Sequence, residues 1–135
     1  VYVADGSGSG SWSDRSQIGG VDILLAEGEN QGPLVGGATV TPKDLGTITT
    51  GTVTVDPGDR ALQYYTNNGA HTLAELSNQG CCMVQITNGG SAGAIGTSGW
   101  DVVTGDAFTT VASDKFLVFM VKFGTVSWLN IIAGQ

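Results

Sequence analysis

KFLVFMVKF, residues 115–123, followed closely by VSWLNII, 126–132, is the stretch on which the fold turns. Short runs rich in Val, Ile and aromatic residues favour strands, and the two together read as a final hairpin. The first run does not alternate apolar with polar, so both faces of its strand are expected to be covered. One face packs on an opposing sheet. The other meets either a loop or the N-terminal arm of the same chain, or a neighbouring subunit. Phe116, Val118, Met120 and the residues between them are therefore assigned to a core and oligomer-forming strand buried on both faces, one face at a subunit contact.

Working back from this hairpin, strand signals come in short bursts: VDILLAE (21–27), LVGGATV (34–40), ITTGTVTV (48–55), ALQYYT (61–66), HTLAEL (71–76), CCMVQIT (81–87), WDVV (100–103) and AFTTV (107–111). Turn residues divide them, notably DPGD (56–59), TNNG (66–69), TNGG (87–90) and the Ser-Asp link at 113–114; Asn, Asp and Gly favour such reversals. About ten short strands with no amphipathic helical stretch predict an all-β chain, an antiparallel β-sandwich or jelly roll. TLAELSN (72–78) is too short to be a convincing helix.

The start of the chain differs in character. Residues 4–20 are rich in Gly and Ser, too poor in apolar area to order alone, so 1–20 are expected to be an extended, flexible arm and 21–135 a single sandwich domain. Asp5, Ser7, Ser9 and Gly10 loosely follow a calcium loop, but Ser16 stands where the bidentate Glu belongs, which leaves too little ligand charge. The opening VYVADGSGSGSWSD also lacks the basic start and apolar stretch of a secretory signal.

Composition narrows the function. The formal net charge is −7, and Arg15, Lys43, Arg60, Lys115 and Lys122 are scattered, which argues against a nucleic-acid surface. FLVFMV at 116–121 is far shorter than a membrane span, so no membrane partner is expected. The single histidine, His71, reads as a packing residue, and Asp56, Asp59, Asp101, Asp106 and Asp114 as turn formers. No nucleophile–base pair, metal-ligand spacing or phosphate loop is apparent, so neither an enzyme nor a cofactor is expected. Trp12, Trp100, Trp128, Tyr64 and Tyr65 could form a sugar-stacking platform, but Trp100 and Trp128 sit where packing at a core edge explains them better.

Two adjacent cysteines interrupt the polar turn chemistry. In GCCMVQIT, Cys82 shares its parity with Val84 and Ile86, and Cys81 with Met83, Gln85 and Thr87. Period two therefore puts Cys82 in the core as a buried thiol and Cys81 on the outer face. A bond between them would strain disulfide geometry. Cys81 is then a candidate for an inter-chain disulfide, with an inert surface thiol as the competing reading.

From Gln79 on, the chain resembles a C-terminal module of small structural proteins of tailed bacteriophages. The resemblance rests on QITNG, SAGAI, GW followed by a hydrophobic pair and TGD, the DKF strand and a last strand of the type SxLNI. TVTVDPGD and LQYYTNNGAHTLA extend it upstream, so that it covers residues 52–135. The adjacent cysteines depart from it, since small polar residues are expected there. The resemblance implies a virion structural protein on the capsid surface, made in the host cytoplasm. It also implies a head decoration or capsid-linking role, with itself (as a homo-oligomer, a trimer) and the major capsid protein or other virion proteins as partners. A receptor- or glycan-binding fibre or tail module is the alternative.

Overall fold

The computed structural model describes residues 40–134 in full and, before them, the backbone of 2–4 and 10–12. The chain divides into two compact units, Val1–Gly37 and Ala38–Gln135. In the first, β1 (Tyr2–Ala4) and β2 (Gly10–Trp12) pair antiparallel, with Tyr2 opposite Trp12. The rest of the expected arm, the strand VDILLAE and nearly all of LVGGATV lie outside the described residues.

The second unit is built entirely of strands and turns among its described residues. Its strands are β3 (Lys43–Ile48), β4 (Thr52–Thr54), β5 (Leu62–Asn67), β6 (His71–Ala74), β7 (Gly80–Asn88), β8 (Ile95–Ser98), β9 (Val102–Gly105), β10 (Lys115–Phe123) and β11 (Val126–Gly134). They form a six-stranded sheet in the order β3-β5-β7-β10-β11-β9 and a three-stranded sheet in the order β4-β6-β8.

The expectation of an antiparallel architecture is corrected by the pairing: both sheets contain parallel ladders. β3, β5 and β7 are parallel neighbours, as are β4, β6 and β8, and β9 is parallel to β11. Only β7–β10 and β10–β11 run antiparallel in this unit. The chain therefore winds as three stacked rungs, each a strand of the large sheet, a corner and a strand of the small sheet. The rungs repeat every 20 or so residues, as in a short solenoid.

The corners explain why this winding holds. ITTGTVTV, expected as one strand, is broken at 49–51 so that Ile48 ends β3 and Thr52 begins β4. Backbone hydrogen bonds continue from rung to rung through the bends: Asn68 N donates to Ile48 O at 2.8 Å, Gly89 N to Asn67 O at 2.7 Å, and Thr72 N to Gly51 O at 2.9 Å. Stacking is so close that a Cβ on Gly69 would lie 2.0 Å from Thr49 O, and one on Gly93 2.0 Å from Ala70 N. Only glycine fits at either position.

Inside the corners, Asn67 and Asn88 are both buried, 21 residues apart and paired in register. The Asn67 amide donates to Asn88 Oδ1 at 2.8 Å and to Gly93 O at 2.9 Å, while Asn67 Oδ1 accepts from Gly69 N and Gly93 N, each at 3.3 Å. Asn88 in turn donates to Thr109 O and Val111 O, both at 2.9 Å. AFTTV, expected as a strand, is instead an irregular segment held by these bonds and by Phe108, edge-on to Phe116 with ring centroids 5.1 Å apart.

Both sheets contribute to one core. Val53 and Leu73 of the small sheet join Tyr65, Val84, Ile86, Phe116, Val118, Met120, Leu129 and Ile131 of the large one. The final hairpin turns at Gly124 and Thr125, between the paired Phe123 and Val126; Gly124 has φ +62°, the positive value that tight hairpin turns need. Lys122 closes one end of the core, its ammonium 3.1 Å from Glu75 and 3.2 Å from Leu76 O.

Candidate interaction surface

β5, β7, β10 and β11 alternate so that one set of side chains enters the core and the other faces outward from the large sheet. Phe116, Val118 and Met120 belong to the inward set and are at most 1% exposed, so none of the three is free to meet another subunit. On the outward side of β10, Leu117 is half-buried, while Phe119 and Val121 are 38% and 42% exposed; a cover from the N-terminal arm lies outside the described residues, and one from another subunit outside a single chain. Apolar residues occur on both faces of this strand, but among the described residues only one face is packed.

The outward side chains form rows across the sheet, set by the register. One row runs Cys81–Val121–Trp128–Val102. The next runs Leu62–Met83–Phe119–Asn130–Thr104, and a third Tyr64–Gln85–Leu117–Ile132. Phe123 and Val126 extend the apolar area at the hairpin end, where Phe123 is 80% exposed. None of these positions carries a charge; the nearest on the face are Lys115, in the row beyond Leu117, and Asp44, paired with Tyr64 at the sheet edge. Asp44 raises the pKa of the Tyr64 hydroxyl through its charge.

Two of the polar groups on this face pair through Thr104. Trp128 Nε1 donates to Thr104 Oγ1 at 2.9 Å, and Thr104 Oγ1 donates to Asn130 Oδ1 at 2.9 Å. Trp128, expected to pack at a core edge, is 52% exposed here, with Ser127 taking the inward place. Trp100 packs against the core edge and donates to Leu73 O at 3.2 Å. Between β5 and β10 the face dips into a shallow apolar groove lined by Pro42, Leu62, Tyr64, Met83 and Leu117.

The cysteines fall on opposite sides of β7. Cys82 is buried, and burial pushes its thiol up to about 11; Cys81 is exposed in the outward row beside Val121. Both are free thiols.

His71 is buried, with both ring nitrogens engaged. Nδ1 lies 2.9 Å from Gly69 O and donates to it, which leaves Nε2 to accept from the Tyr65 hydroxyl at 2.9 Å. Burial pushes the Tyr65 hydroxyl far above its ordinary value. The aspartates hold turns and strand ends. Asp56 accepts from Gly58 N and Asn78 Nδ2, and the Asn78 bond is the main cause of its lowered pKa. Asp101 accepts from Ser127 N at 2.7 Å, Asp106 from Ala133 N at 2.8 Å, and Asp114 from the Thr109 hydroxyl. Among the described residues, no group of three or more His, Cys, Asp or Glu is placed to hold a metal ion, and no helix is long and apolar enough to cross a membrane.

The outward rows leave no local signal in the sequence, because only the register brings the exposed apolar residues of β5, β7, β10 and β11 side by side. Comparison with protein-family models, curated proteins and solved structures finds no match.

Proposed function

We propose that the chain is a structural subunit of a tailed-bacteriophage virion, a head decoration or capsid-linking protein that self-associates and adds stability to the shell. The observation that carries this reading is the uncharged, apolar outer face of the large sheet in a chain of net charge −7. Contiguous apolar surface of this size on a small domain marks a contact with another macromolecule. The resemblance over residues 52–135 supplies the virion context. In this reading the two sheets form a β-sandwich in layering, wound as a solenoid rather than as a jelly roll. Cys81 lies in the same face and is placed to join another chain of the shell. Outside the cell, two thiols would lose two protons and two electrons to dissolved oxygen and form one disulfide.

The fibre or tail alternative, with receptor or glycan binding, is favoured by one observation, the exposed Trp128 ring. Copy number separates the two. Quantitative mass spectrometry of purified particles is expected to find this chain in hundreds of copies per particle. A few copies would move it to the fibre or tail, and its absence from particles would overturn the virion reading.

A further inference from the structure

We infer that the occupant of the outer face is a second copy of this chain, packed sheet on sheet about a two-fold axis so that the ridge of each copy lies in the groove of the other. The inference rests on the reading of the chain as an assembly subunit and names its immediate partner. Three observations lead to it. First, the exposed apolar side chains of the face present roughly 800 Å2, taking large apolar residues as ~150–250 Å2 each when bare, which is about one partner's share of a standard interface.

Second, the same face carries both halves of a complementary surface. Trp128 and Phe123 stand out on β11 and β10, 52% and 80% exposed, while Leu62, Tyr64, Met83 and Leu117 line the groove on the other side of the face. A two-fold contact requires one patch to complement itself, and a ridge beside a groove on one face does so. Two sheets packed face to face sit about 10 Å apart, which leaves room for one layer of interdigitated side chains from each.

Third, the charge distribution suits self-association. A chain of net charge −7 repels its own copy, so a self-contact must be built where no carboxylate is desolvated. The rows through Val121 and Phe119 meet that condition, and Trp128 Nε1 already donates to Thr104 Oγ1, so burial does not strand the indole.

The test is the mass of the full-length chain in solution by sedimentation equilibrium, with Val121→Asp and Phe119→Asp beside it. Both positions are outward, so both variants should keep the far-ultraviolet spectrum of the parent. The expected result is twice the 13.7 kDa monomer mass for the parent and the monomer mass for both variants. A parent at three times the monomer mass overturns the pairing in favour of the trimer expected from the resemblance. A dimer that survives both substitutions overturns the use of this face. A monomer throughout also overturns the pairing, and a lowered melting temperature in the variants would then assign the face to the chain's own residues. Copy number in particles is measured independently. A monomer present in particles defeats the pairing alone, and a dimer absent from particles defeats the virion reading alone.

Discussion

At the scale of single residues, the corners of the rungs carry the sharpest consequences. Gly69 and Gly93 each face backbone of the neighbouring rung at a distance no Cβ tolerates. Gly69→Ala or Gly93→Ala is expected to cost on the order of 3–5 kcal/mol in urea denaturation, because backbone rather than a flexible side chain must move. Gly90→Ala is the control. It meets nothing within 4 Å, so it should stay within about 0.5 kcal/mol of the parent. Asn67→Ala removes the amide that joins two rungs and strands Asn88 Oδ1 and Gly93 O in the interior. A loss of roughly 3 kcal/mol is expected from the unpaired buried groups. The two thiols divide by burial. With the Cys82 pKa raised to about 11, its thiolate is favoured in the unfolded chain, so its contribution is intact below pH 9 and lost as pH rises through 11. Tyr65 acts in the same sense at still higher pH. The urea midpoint should therefore fall on the alkaline side, and less steeply in Cys82→Val. Cys81 should react with maleimide in native chain diluted to the monomer. On a gel without reductant, intact particles should show a crosslinked species that is lost in Cys81→Ser and kept in Cys82→Ser; a lone monomer band would leave Cys81 an inert thiol.

At the scale of elements, the hairpin was legible and the winding was not. KFLVFMVKF matches β10 end to end, and VSWLNII lies within β11, because two long runs of strand formers joined by a tight turn specify themselves locally. Period two on GCCMVQIT gave the inward place of Cys82 for the same local reason. Direction of pairing is different. A strand has the same alternation whether its neighbour runs parallel or antiparallel, so the ladders β3-β5-β7 and β4-β6-β8 left no mark in hydrophobic pattern. The signal that could have found them is repetition. TNNG at 66–69 and TNGG at 87–90 are the same corner one rung apart, with TTG at 49–51 as its divergent first copy. Read singly, each is an ordinary turn. β8 was hidden within a Gly-rich stretch, and AFTTV looked like a strand because its partner, the Asn88 amide, lies 21 and 23 residues away. Asn88→Ala should accordingly raise hydrogen exchange across 107–113 more than in β10, since the segment loses both carbonyl contacts while the strand keeps its ladders.

At the scale of the whole molecule, the large sheet has one packed face and, among the described residues, one bare face. The core draws on both sheets, so the described unit has what it needs to hold its inner layer without a partner. Its outer rows contribute nothing to that layer, yet they hold Phe119, Phe123, Val121 and Trp128 in open water, an arrangement that lowers free energy only when the rows are covered. Radical footprinting of those side chains, in chain diluted until it sediments as the monomer and in intact assembled particles, is the direct measurement. The account predicts that labelling of Phe119, Phe123 and Trp128 falls by about fivefold or more on assembly, as expected for a dry interface core, while the partly exposed groups of the corners change little. Equal labelling of the outer rows in both states would contradict it.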